Sequence, residues 1–114
     1  MKTFMPECDK ASVMDCPRDS IVNAYDNTIL YTDFFLGKVI DFLQQNSTRY
    51  DTAMFYMSDH GESLGENNIY LHGFPYAIAP EEQRHIPFIA WFSDNFVTAT
   101  GLDLACIRSR AANE

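Results

Sequence analysis

Two short apolar runs, Thr52–Met57 and Pro87–Phe92, stand on either side of a polar, glycine-punctuated stretch at 58–85. Each run has the length and apolar character of a strand buried on both faces. Upstream, Ile21, Tyr25, Thr28, Ile29, Thr32, Leu36, Val39, Ile40 and Leu43 recur mostly at three- and four-residue steps, the period of an amphipathic helix. Asp19 or Ser20 is placed to cap its start, and Asn46-Ser47-Thr48 to end it. Tyr31, Phe34, Phe35 and Phe42 widen its apolar side, which predicts a helix covered on more than one face. Past the second run, Asp94 is placed to cap a weak helix running toward Ala112. Helix, strand, long loop, strand, helix is the grammar of an α/β sheet. Residues 1–19, with Pro6 and Pro17, read as a loop, and no internal repeat or low-complexity segment interrupts the pattern.

Composition narrows the function classes. A chain of 114 residues, 46% hydrophobic and 14% aromatic, is globular and has room for one small domain. A net charge of −8 argues against a nucleic-acid partner, which needs a basic face to displace counterions. The same sign suits a soluble surface or a carboxylate-bearing metal site. The longest apolar stretches, such as Ile86–Phe92, fall well short of the roughly 20 residues of a spanning helix. The opening "MKTFMPECDK" has no apolar core after its lysine and is not a secretory signal. Cys8 and Cys16 lie in "CDKASVMDC" between two prolines, and Cys106 is the odd cysteine. Spacing alone is compatible with a bridge or with two reduced thiols. A bridge requires an oxidising compartment, and such a pair without an export signal suggests that the natural N-terminus lies further upstream.

The chemistry concentrates in "YMSDHGESLGENNIYLHG", residues 56–73, which holds two of the three histidines. Asp59 and His60 follow the first predicted strand directly, at the end where open α/β sheets gather ligands. A carboxylate oxygen and an imidazole nitrogen are two of the usual zinc donors. Gly61 permits a turn that lets neighbouring side chains converge. Glu62 is suited to hydrogen-bond a ligand histidine. His72 returns beyond a turn at Asn67-Asn68, as a second ligand or a substrate contact. A long loop of this kind is commonly functional. The competing reading is a loop whose polar groups merely cap one another. Asn46-Ser47-Thr48 also matches a glycosylation sequon, a match common by chance.

The segment "SDHGESLGENNIYLHGFPYAIAPEEQRHIPFIAWFS", with "NAYDNTILYTDFFLGKVIDFL" before it, closely resembles the periplasmic domain of lipid A phosphoethanolamine transferases. That group includes enzymes conferring polymyxin resistance and belongs to the alkaline phosphatase and sulfatase superfamily. The resemblance covers about residues 4–110. It implies an alkaline-phosphatase-like, sulfatase-type sheet-and-helix domain, with 1–114 as one partial domain from the C-terminal part of the catalytic region. It implies that Asp59 and His60 are ligands of a catalytic Zn2+. His72 matches a histidine near the transferred phosphoryl group or a second zinc, and Cys8 and Cys16 match a disulfide pair. The implied substrates are phosphatidylethanolamine and lipid A, handled at the periplasmic face of the bacterial inner membrane, where a part N-terminal to this sequence anchors the enzyme.

The family's transmembrane helices, threonine nucleophile, zinc-binding glutamate and a further histidine match nothing in this sequence, nor does its closing segment. Thr28, Thr32, Thr48 and Thr52 do not sit in the nucleophile's context. The isolated chain is therefore expected to be inactive. The alternatives are another sulfatase or phosphodiesterase of the superfamily and a non-catalytic truncated product.

Overall fold

The structure, a computed structural model, describes residues 2–112. The elements run α1 (Arg18–Asn46), β1 (Ala53–Met57), β2 (Ser63–Leu64), β3 (Tyr70–Leu71), α2 (Glu81–Arg84), β4 (Phe88–Phe92), α3 (Asp94–Thr100) and α4 (Leu104–Ala111). This is the expected mixture of helix and sheet. They fall into two compact units: the residues up to Leu36 with Met57–Phe88, and Gly37–Tyr56 with the residues from Ile89 onward.

In the first unit, the N-terminal segment is held to the first half of α1 by one amide. Asn27 is buried, and its Oδ1 accepts from the backbone N–H groups of Thr3 at 2.8 Å and Phe4 at 3.0 Å. Its Nδ2 donates to the Phe4 carbonyl and to Glu7 Oε1. A buried amide is tolerated only when satisfied in this way. Cys8 and Cys16 form a disulfide with Cα atoms 5.7 Å apart, and Cys8 N donates to the Ser20 carbonyl at 3.0 Å. The helix begins at Arg18, before the expected cap, because the Pro17 carbonyl accepts from Ser20 and Ile21. Asp19 therefore lies in the first turn, where a negative charge complements the helix dipole.

The long loop belongs to this unit and is not structureless. β2 and β3 pair antiparallel, Ser63 opposite Leu71 and Leu64 opposite Tyr70. The reversal between them uses Gly65 at φ 107° and Asn67 and Asn68 at φ 53° and 60°, left-handed conformations that glycine and asparagine adopt most readily. Glu66 ties this turn down, accepting from Leu64 N at 2.6 Å and from the Arg18 guanidinium at 2.9 Å.

In the second unit, β1 and β4 form a two-stranded sheet. Ser93 is 1% exposed. Its Oγ accepts from Thr52 N and from Phe96 N, both at 3.2 Å. Ser93, not Asp94, is thus the cap of α3. The single helix expected toward Ala112 is two: Gly101, at φ 66°, ends α3, and Asp103 caps α4 by accepting from Cys106 N. Phe92 stacks on Phe96 at 5.4 Å and meets Phe55 edge-on at 5.6 Å.

The apolar residues are not covered as their pattern predicts. Ile21 and Met54 are the buried hydrophobic side chains among the described residues, whereas Phe55 in β1 is 63% exposed. Tyr31, Phe35 and Phe42 of α1 are exposed as well. Among the described residues, the neighbouring elements do not cover both faces of these elements.

Candidate functional site

The hairpin register builds the site. Because Ser63 faces Leu71, the residues one step outside the pair, Glu62 and His72, become neighbours. His72 Nδ1 lies 2.5 Å from Glu62 Oε1. A carboxylate only accepts, so Nδ1 carries the proton in this bond. Leu71, immediately before His72, has φ 64°. That is a strained conformation for a bulky residue, of a kind that collects at functional sites.

His60 reaches the same place from the other side of Gly61. Its ring stacks on the His72 ring, with centroids 3.6 Å apart and planes inclined by 26°. His60 Nδ1 lies 3.0 Å from the Gly61 carbonyl, which also only accepts. In the neutral ring this leaves the lone pair on Nε2. His60 Nε2 lies 3.8 Å from Asp59 Oδ1, and the Asp59 side chain is 90% exposed.

Gly61 is needed for a reason other than the expected turn. A Cβ at this position would come within 2.0 Å of the Glu82 carbonyl oxygen. The backbone passes flat against α2, and Gly61 N donates to the Gln83 carbonyl at 3.0 Å. Gln83 is buried, and its side-chain Nε2 donates to Ser63 Oγ at 2.8 Å. Nothing in the sequence distinguishes Gln83 from its charged neighbours Glu81, Glu82 and Arg84, so its role is visible only in the fold.

Asp59, His60, His72, Tyr76, Gln83 and Arg84 contribute to the lining of a cleft of about 300 Å³. Arg84 lies over the Tyr76 ring at 5.3 Å, a cation–π contact. The third histidine, His85, ends α2 and is not among the grouped ligand atoms.

One group of donors suits a metal ion: His60, Glu62 and His72 each offer one ligand atom within 4.8 Å of the others. Asp59 is not in that group, and its Oδ1 lies 3.8 Å from His60 Nε2, beyond the roughly 3.3–3.5 Å that separates two donors on one tetrahedral zinc. The hydroxyls of Thr28, Thr32 and Thr52 donate to the carbonyls of Tyr25, Thr28 and Leu43.

Known proteins share this arrangement of sequence and fold. The sulfatase family profile matches residues 1–111. The phosphoethanolamine transferase EptA of Salmonella typhimurium strain LT2 is 43% identical over 111 residues, which are 97% of this chain and 20% of that protein. The chain thus spans about a fifth of the length of this curated relative. The soluble domain of lipooligosaccharide phosphoethanolamine transferase A from Neisseria meningitidis superposes with a TM-score of 0.91 at 48% identity, covering 96% of this chain and 33% of that one. The C-terminal periplasmic domain of phosphoethanolamine transferase EptC from Campylobacter jejuni superposes with a TM-score of 0.78 at 50% identity, covering 86% of this chain and 32% of that one. At these identities the likeness extends through the helix, both longer strands and the histidine-bearing loop, and this chain belongs to the sulfatase family.

Proposed function

We propose that this chain supplies the metal-and-histidine part of a phosphoethanolamine transferase acting on lipid A. In this reading it is the C-terminal part of a catalytic domain at the periplasmic face of the inner membrane, and the modification confers polymyxin resistance. The observation that carries the proposal is the Asp59–His60 pair. The Nδ1 side of His60 is committed to the Gly61 carbonyl, which leaves Nε2 toward Asp59 Oδ1. The names of the three relatives described above, each a phosphoethanolamine transferase, supply the reaction class.

Asp59 Oδ1 and His60 Nε2 would hold the zinc, while Glu62 Oε1 lies 3.7 Å from the other ring nitrogen of His60, Nδ1. Bound there, zinc supplies polarisation of a phosphoryl oxygen and a lowered pKa for an attacking hydroxyl. His72 is held by Glu62 through Nδ1, so its ring is fixed beside that position and serves to offset charge on the phosphoryl oxygens. Thr28, Thr32 and Thr52 point their hydroxyls into backbone bonds and are not offered as the nucleophile that takes phosphoethanolamine from phosphatidylethanolamine. With Asp59 and His60 as the two ligand candidates at the family position and His72 as a third candidate, the isolated chain is expected to bind zinc weakly, because stable sites take three or four protein ligands. It is expected to transfer nothing.

The test is a chimaera in which this chain replaces the matching segment of the Salmonella enzyme. Mass spectrometry of lipid A then reads phosphoethanolamine addition. Asp59→Ala and His60→Ala should each abolish it, and His72→Ala should lower it by about a hundred- to a thousandfold. Undiminished addition with Asp59→Ala would remove the ligand role.

A further inference from the structure

We propose that Gln83 is a positioning residue, holding both histidines of the site in register from outside the loop. The inference rests on reading the His60–His72 loop as the reactive site. Gln83 grips that loop at two points. Its backbone carbonyl accepts from Gly61 N at 3.0 Å, directly between His60 and Glu62. Its side-chain Nε2 donates to Ser63 Oγ at 2.8 Å, directly after Glu62. Gln83 is 6% exposed and Ser63 is 1% exposed, so water does not compete for this bond, and an amide left unpaired at such depth is costly.

The grip extends to His72 through the sheet. Ser63 is the residue paired with Leu71, and Leu71 is held at φ 64° immediately before His72. Fixing Ser63 therefore fixes the strand end from which His72 projects. Gly61 completes the clamp, since any Cβ there would collide with the carbonyl of Glu82, the neighbour of Gln83. Three site residues, His60, Glu62 and His72, thus take their positions from one glutamine that itself contributes no ligand atom to them. Groups one step removed from metal ligands commonly change affinity by about 10–100-fold when removed.

The experiment uses the full chain. In the metal-free protein, stacking at 3.6 Å shifts the ring protons of His60 and His72 upfield, and two-dimensional NMR reads that shift. Gln83→Met keeps the volume and removes the donor. It should abolish the upfield shift and weaken Co2+ binding, followed by its visible absorption, about 10–100-fold. Gln83→Glu, which can still accept from the Ser63 hydroxyl, should restore most of both, whereas the shorter Gln83→Asn should not. If Gln83→Met does not fold, Ser63→Ala removes the same bond from its other end and should give the same two losses. Combining Gln83→Met with Ser63→Ala should cost no more than either alone, because they share one interaction. Unchanged ring shifts and Co2+ affinity in Gln83→Met or Ser63→Ala overturn the proposal. The ring shifts are read without metal, so they judge the positioning role even if Asp59 and His60 prove not to be ligands.

Discussion

Glu62 and His72, ten positions apart in sequence, meet at 2.5 Å because the antiparallel pairing of Ser63 with Leu71 places them side by side. The carboxylate both orients the imidazole and lies 3.7 Å from His60 Nδ1. Glu62→Ala should weaken Co2+ binding by about 10–100-fold. Glu62→Gln keeps an acceptor for Nδ1 and should recover part of the loss. Spectrophotometric Co2+ titration of the three proteins decides it, and equal affinities would show that Glu62 does not support His72.

Two glycines should respond to alanine in opposite directions. A Cβ at Gly61 would press on the Glu82 carbonyl, a backbone atom that cannot step aside, so Gly61→Ala should destabilise by about 1–3 kcal/mol or more. Gly37, inside α1, has open space around its missing Cβ. Gly37→Ala should stabilise by about 0.5–1 kcal/mol through helix propensity. Urea denaturation of each variant reads both signs.

Glu66 should make stability depend on pH. Its own backbone N–H, then the Leu64 N–H and the Arg18 guanidinium, hold its carboxyl below the ordinary carboxylate value. A carboxylate with a lowered folded pKa stabilises the protein fully above the unfolded pKa, and that contribution is lost as pH falls through the folded one. Glu66→Gln should therefore lower the melting temperature at pH 7, and the difference from the parent should shrink toward zero in acid. A difference that persists unchanged at the lowest pH would contradict this.

The Cys8–Cys16 bond closes a short loop, and Cys106 is a free, exposed thiol. Reduction should cost about 2–3 kcal/mol on the chain-entropy account. Mass spectrometry of an unreduced digest should recover the Cys8 and Cys16 peptides linked and Cys106 alkylated. A Cys8–Cys106 link would refute the pairing.

Much of this was legible in the residues, and the exceptions have physical causes. The boundaries of α1, β1 and β4 lie within a residue or two of the predicted ones, because apolar periodicity and turn residues are local signals. The same locality hid the break at Gly101, a single left-handed residue inside a weak pattern. It also hid the capping role of Ser93, which is secured by a distant partner, Thr52. Burial was overpredicted, since periodicity shows which face is apolar and not whether anything covers it; Phe55 is the example. In the loop, residue type and spacing singled out Asp59, His60 and His72, and the fold brings the rings of His60 and His72 together. Gln83 was not singled out, because its importance arises from where α2 lies against Gly61 and Ser63.

The turn at Gly65–Asn68 acts as a ruler for the site. One residue added or removed there shifts the strand pairing by one place, and in a β-ladder that sends every following side chain to the opposite face. His72 would then turn away from Glu62 and from the His60 ring, although neither histidine nor the glutamate had been altered. A surface turn is usually where a protein accepts length changes most freely. Here the left-handed Asn67 and Asn68 set the spacing on which the meeting of Glu62 and His72 depends, and variation in this family member should therefore appear there as exchanges of residue and not as insertions or deletions.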